Sequence, residues 1–336
     1  MTTARTHALD RARGALLGTF VGDALGMPFE GSTSESIPEQ LDMEDARLGA
    51  GTYTDDTEMM IALAESLVER ATVDEEDLAR CFLSAHHPER GYGSGTRAVL
   101  ALIASGTPAT EAAQRIFEGS GSLGNGAAMR VAPVAVRFAH DPERLAHEAE
   151  LSARVTHAHI LGIDGARAQA AAVGAAVRDD DVLAAARAAT RTAELRHRFD
   201  AVATLLGERN PPTDEPPPAK HPSPRPTAIA RAVALLGNSS AAMESVPTAI
   251  YAALGNDSFE EAVTHAVGCG GDADTIGAMA GAIAGARHGV SAIPQRWLDA
   301  LEDGPKGRSH VIRLADRLAE QAGAEPASRR AGHRPG

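Results

Sequence analysis

Along most of this chain apolar residues return every three to four positions, the period of a helix laid against a core. The first clear stripe runs from Arg11 to Leu25 and stops near Gly26 and Pro28. Residues 1 to about 8 read as a loose arm, and residues 31–50 as a polar loop. The stripe recurs over 57–70, 74–86, 94–105, 109–118, 126–139, 142–154, 158–177 and 181–206. It returns over 228–237, 241–254, 258–266, 274–288, 294–302 and 308–322. The connections are short and carry Gly, Pro or Asp, as helix–helix turns do. Alternation of β-branched residues is nowhere sustained, so strands are expected to be few or absent. The pattern predicts an all-α protein.

One stretch breaks the rhythm. Residues 207–227, GERNPPTDEPPPAKHPSPRPT, are polar and dense in proline. Proline removes backbone donors and fixes φ, so this stretch cannot continue a helix and reads as a surface insert. Residues 323–336 read as a disordered tail. What remains is one helical domain over residues 1–322, with the insert inside it.

Composition sharpens this picture. Of 336 residues, 43% are hydrophobic but only 3% aromatic. Ala, Leu and Val supply most of the apolar content, and Ala and Leu favour helix. Small side chains fill little volume, so the helices must approach closely. Gly277, Gly281 and Gly285 repeat every fourth residue within the apolar run 276–286. That spacing lets a buried helix meet its neighbour, and the run is too short to span a membrane. The net charge of −13 argues against general nucleic-acid binding. Cys81 and Cys269 form neither a disulfide framework nor a metal-binding pair motif. With no leader-like segment and no long apolar stretch, a cytoplasmic monomer without membrane contact is expected.

The chemistry concentrates in two acidic clusters far apart in sequence. Thr54-Asp55-Asp56-Thr57 follows Gly51, and Asp272-Ala273-Asp274-Thr275 follows Gly270-Gly271. Each opens a helical run. One carboxylate at a helix start is a cap, but two are more than a cap needs. Hard divalent cations take oxygen ligands from carboxylates and hydroxyls. If the fold joins the clusters, four carboxylates and two threonine hydroxyls could hold two metals. Zinc, through Cys269 and His265, is the outnumbered alternative. Residues 119–126 form a glycine-rich loop before the run AAMRVAPVAVRF. It is either a plain turn or a phosphate cradle of backbone N–H groups at a helix start. His157 and His159 form a His-x-His pair, a pattern compatible with metal binding or with a structural role. Gly22-Asp23-Ala24-Leu25-Gly26 with Glu30 forms a further motif, for which the plain reading is an exposed helix residue at Asp23 and a loop acid at Glu30.

Five strings occur together in order: GALLGTFVGDALGMPFEG, GTYTDDTEMM, GSLGNGAAMRVAP, SARVTHAHILGIDGA and GCGGDADTIGAMAGAIAGA. Over roughly residues 10–290 they resemble the ADP-ribosylglycohydrolase family. The resemblance implies a single orthogonal multi-helix bundle with a binuclear metal site at one end, holding two Mg2+ or Mn2+. It implies hydrolysis of an N- or O-glycosidic bond between ADP-ribose and an acceptor, a protein side chain or a small molecule. Thr54, Asp55, Asp56, Asp272, Asp274 and Thr275 match the family's metal ligands. Glu30, Asp55, Asp56 and Asp274 are the implied catalytic carboxylates. Ser122, Gly124, Asn125, Gly126 and His157 match positions that line the substrate, with His157 a phosphate or ribose partner. Leu123 stands where relatives often carry an aromatic, and residues 91–96, GYGSGT, resemble a loop bordering the pocket. Two rivals differ in testable ways. A metal-dependent phosphohydrolase would cut the diphosphate instead, and a non-catalytic, crystallin-like binding protein would have lost acidic ligands that this chain keeps.

Overall fold

The computed structural model describes residues 3–209 and 225–324. These residues form the helices α1 (Thr3–Gly26), α2 (Asp55–Arg70), α3 (Glu75–Ala85), α4 (Ser94–Ala104), α5 (Ala109–Arg115), α6 (Ala132–Phe138), α7 (Pro142–Arg154) and α8 (Ile160–Arg178). They continue with α9 (Val182–Ala189), α10 (Ala193–Arg209), α11 (Arg225–Leu236), α12 (Ala242–Leu254), α13 (Phe259–Gly268), α14 (Ala273–His288), α15 (Gln295–Ala300) and α16 (Arg308–Ala324). No strand joins them among the described residues, and an isolated bridge links Gly124 to Ala241. No described helix is long and apolar enough to cross a membrane.

The helices of the two acidic motifs are held together by glycine. In α1, Gly14, Gly18 and Gly22 face Gly285, Gly281 and Gly277 of α14, in antiparallel register. A Cβ on these three α1 positions would lie 2.1, 2.1 and 2.0 Å from the opposing carbonyl oxygens. The two backbones therefore touch. Each mid-helix glycine costs about 1 kcal/mol of helix propensity, which the dispersion contacts of a close seam offset. Phe20, Val21, Leu25, Ile276, Met279 and Ile283 are buried in the surrounding core. At the end of the seam a Cβ on Gly26 would sit 2.4 Å from the Asp274 Cα. The seam thus delivers the acidic start of α14 to the end of α1. The sequence flagged only the α14 glycines, and their partners are an equally regular series in α1.

Several expected boundaries change, each for a visible reason. The loose arm is helix from Thr3, because α16 runs beside α1. Arg13 forks onto Asp316 at 2.7 and 2.8 Å, and Arg5 meets Glu320 at 2.8 Å. The single helix expected over 181–206 is two. Asp164 in α8 accepts the backbone N–H groups of Arg191 at 2.9 Å and Thr192 at 2.7 Å, so the chain breaks between α9 and α10. The helix expected over 126–139 begins only at Ala132. Helix also covers residues 207–209 and 225–227 of the expected insert, and α16 extends to Ala324. The rest of the insert and of the tail lies outside the described residues.

Candidate metal centre and active site

The first acidic cluster is built on Asp23. This residue is fully buried, so the reading of it as exposed is corrected. Its carboxylate accepts the backbone N–H groups of Thr54 and Thr57, each at 3.1 Å, and the Thr57 hydroxyl at 2.6 Å. One carboxylate thus takes orphan donors from the start of α2 and fixes where the helix begins. The Thr54 hydroxyl is itself an N-cap, accepting from the Asp56 N–H at 3.3 Å. Asp55 and Asp56 are left with side chains free of capping duty. A charged residue among the apolar positions of GTFVGDALG was the available signal for Asp23.

The second cluster is aimed differently. Asp272 precedes α14 but makes no capping bond to it. Its Oδ2 accepts from the Asn125 amide at 2.5 Å, and the same amide nitrogen lies 3.0 Å from Ser245 Oγ. Asn125 is buried, and its backbone N–H donates to the Ser240 carbonyl. The glycine-rich loop therefore holds a carboxylate of the acid centre. Gly270 and Gly271, at φ of 66° and 65°, make the turn ahead of it. Gly31 and Ser32 exchange backbone hydrogen bonds with Gly271 at 2.7 and 2.9 Å. This lacing brings Glu30 to the site.

Oxygens of Glu30, Asp272 and Asp274 lie within 4.8 Å of one another. The first cluster reaches the same place, with the Thr275 hydroxyl 3.4 Å from Asp56 Oδ1. Asp56 Oδ2 is buried without a hydrogen-bond partner, and a buried acceptor in that condition calls for a cation or a donor. Burial first, then neighbouring carboxylates, raises the carboxyls of Asp55, to about 8, and of Asp56 and Asp274, well above the ordinary range. Burial likewise raises Asp272. So many acids forced together in a dry place fit a divalent cation, which would restore their charged form. The all-oxygen donor set suits a hard ion. The zinc alternative is not supported, because the Cys269 thiol bonds the His265 carbonyl and the His265 ring packs edge-on to Tyr251.

The remaining expected residues divide. Ser122 turns inward, its hydroxyl accepting the Gly124 N–H at 3.1 Å. Because α6 starts at Ala132, the loop is not a helix N-terminus, so that form of the phosphate cradle is corrected. Residues 126–130 instead fold as turns around Arg130, which is fully buried. Its guanidinium donates to the Gly126 and Ser152 carbonyls and to Thr156 Oγ1. The Thr156 hydroxyl also shares a hydrogen bond of 2.7 Å with His157 Nδ1. Burial, and then Arg130, pulls His157 down to about 3. The ring is neutral, and its Nε2 lies beside Gly124 and Gly126. A Cβ on those glycines would come within 3.7 and 3.3 Å of that nitrogen. A neutral ring there can meet a phosphate or ribose through a hydrogen bond without adding charge. His159 caps α8, accepting the Leu161 N–H at 3.2 Å. Leu123 is an exposed apolar residue at this rim. In the GYGSGT run, the Tyr92 hydroxyl donates to Glu58, one turn beyond Asp55.

An all-helical scaffold closes on a cluster of carboxylates that could hold a metal ion, with a glycine-rich loop at its edge. Residues 4–327 match the ADP-ribosylglycohydrolase family, and the chain belongs to it. It is 34% identical to the ADP-ribosylhydrolase ARH3 of Danio rerio, over 92% of this chain and 90% of that one. It is 30% identical to the ADP-ribosyl-[dinitrogen reductase] glycohydrolase of Rhodospirillum rubrum, over 96% and 99%. A solved structure described as an ADP-ribosylglycohydrolase-related protein complex superimposes with a TM-score of 0.73 at 31% identity, covering 94% of this chain and 99% of that chain.

Proposed function

We propose that this protein hydrolyses the glycosidic bond between ADP-ribose and an acceptor, releasing ADP-ribose, with two Mg2+ or Mn2+ ions at the acid centre. The observation that carries the reading is the convergence of Glu30, Asp272 and Asp274 with Asp56 at the end of the glycine seam. Thr54, Asp55, Asp56, Asp272, Asp274 and Thr275 are the proposed ligands. A divalent cation bound there would supply positive charge for sugar hydroxyls and acidify a water molecule. Asp23 holds the first turn of α2 in place, and Asn125 orients Asp272. Glu30 is half-exposed on the solvent side of the group, where its carboxylate can take a proton from attacking water. The neutral His157, with Ser122, Gly124 and Gly126, lines the substrate side and can hydrogen-bond a ligand without adding charge. The substrate is an ADP-ribosylated protein or small molecule, and the working form is a cytoplasmic monomer.

A product assay tests this. The protein is incubated with Mg2+ and a panel carrying ADP-ribose on arginine, on serine, on a nucleic-acid base and as the O-acetyl ester. Release of free ADP-ribose from at least one, abolished by EDTA and restored by Mg2+ or Mn2+, is the expected result. Formation of AMP would mean that the diphosphate is cut and would overturn the glycosidic reading. Full turnover after chelation would overturn the metal reading.

A further inference from the structure

The loop between α1 and α2 carries a cation paired with the acid centre. Arg47 Nη1 donates to Glu30 Oε2 at 2.8 Å, and Nη2 donates to the Arg90 carbonyl at 3.2 Å. The guanidinium lies against Gly91, whose φ is 100°. A Cβ at Gly91 would fall 2.2 Å from Nη2, so a side chain there would push it aside. Three segments meet on one side chain: the turn after α1, the loop before α2 and the GYGSGT run. The charge of Arg47 also acts on Asp274 and Asp55.

The backbone at Glu30 is fixed without Arg47, through the exchange between Gly31, Ser32 and Gly271. The Glu30 carboxylate is different. Its side chain is 42% exposed, and Arg47 is its ion-pair partner. That same carboxylate lies within 4.8 Å of Asp272 and Asp274. A divalent cation held by those aspartates and the Arg47 guanidinium would therefore both draw on Glu30. We propose that Arg47 is a positioning residue for Glu30, an internal counter-ion that holds its carboxylate at the mouth of the centre and gives it up to a bound divalent cation. This rests on the reading of the centre as a metal site. A planar fork is suited to spanning a carboxylate and a carbonyl at once, which an ammonium does poorly. Such an exposed pair adds little to folding stability, so its loss should alter the centre and spare the fold.

The test is calorimetric titration of the full chain with Mn2+ alone. It is run on the native protein, Arg47→Ala, Arg47→Lys, Glu30→Gln and the double variant Glu30→Gln/Arg47→Ala, with a melting curve for each. Arg47→Ala should bind Mn2+ about two- to fivefold more tightly, the scale of one exposed ion pair. In the Glu30→Gln background the same change should tighten binding by clearly less, because the competitor acts through Glu30. Arg47→Lys should fall between native and Arg47→Ala, with an unchanged melting temperature. An equal effect of Arg47→Ala with and without Glu30 would overturn the proposal. So would weaker Mn2+ binding in Arg47→Ala and Arg47→Lys alike, since that is what a merely structural role predicts. Native protein that binds no Mn2+ is a separate failure, which removes the metal reading and this proposal with it.

Discussion

At the scale of single residues, the centre depends on polar groups whose work is to hold others. Asp23 has no exposed surface and accepts three hydrogen bonds from Thr54 and Thr57. Asp23→Asn keeps the size but turns an amide against those donors. It should cost about 1.5–3 kcal/mol of stability, the value of charge-assisted buried bonds. It should also cut ADP-ribose release at least about tenfold, since a displaced α2 carries Asp55 and Asp56 with it. Urea unfolding and a turnover assay check both, and native turnover would show that α2 needs no such anchor. Glu58, one turn beyond Asp55, offers a pH test on a pair outside the proposed metal ligands. His87 Nδ1 lies 2.7 Å from Glu58 Oε1, and this hydrogen bond is the main cause that raises the His87 pKa above 6.5. A raised imidazole contributes stability that is fully present below the ordinary value and lost as pH rises through the folded one. His87 is largely exposed, so the effect is small. His87→Gln should lower the melting temperature by about 1–3 °C at pH 5.5 and by less at pH 9. A larger drop at pH 9 would contradict this sign.

At the scale of elements, the α1–α14 seam is the device that assembles the site. Gly→Ala inside a helix ordinarily stabilises by about 0.5–1 kcal/mol, because the unfolded chain loses freedom. At Gly18 the sign should reverse. The new Cβ would lie 2.1 Å from the Gly281 carbonyl oxygen, which is backbone and cannot rotate away. Gly18→Ala is expected to cost about 1–3 kcal/mol, as overpacking does. Gly304→Ala, where nothing lies within 4 Å of the added carbon, should stay within about 0.5 kcal/mol. Paired melting curves decide this, and equal shifts in the two variants would mean that the seam tolerates separation. The seam also explains why the acidic clusters work from opposite parts of the chain. The glycines of α14 place Asp274 against Gly26, four residues before Glu30 in sequence.

At the scale of the whole molecule, residues 210–224 stand between α10 and α11, and every motif that builds the centre lies outside them. Closure entropy grows slowly with loop length, so replacing them with about six Gly/Ser residues should change stability by about 1 kcal/mol or less. Release of ADP-ribose should persist. Loss of activity at an unchanged melting temperature would place the segment at the acceptor, and loss of both would make it structural. At the centre the acidity of the chain is crowded into a buried group, where burial and neighbouring carboxylates raise the carboxyls of Asp55, Asp56 and Asp274 above free acids. A divalent cation would restore the charged form of those acids, and the wider acidity does not describe the ligand.

The sequence alone determined the helical character of the chain, most of its helix positions, and the residues of the two acidic clusters. Those features are local, since a 3.6-residue period or a glycine-led acidic turn is written in neighbouring residues. Tertiary structure decided what neighbours cannot show. Asp164 ends α9 from another helix, Asn125 holds Asp272 across the fold, and Arg47 reaches Glu30 from a loop with no periodic signal. Asp23 and His157 had visible residue types but invisible surroundings. Burial made one an anchor and left the other neutral. Charge state and capping depend on which donors arrive from distant segments, and those arrivals are fixed only when the glycine seam brings α1 and α14 into contact.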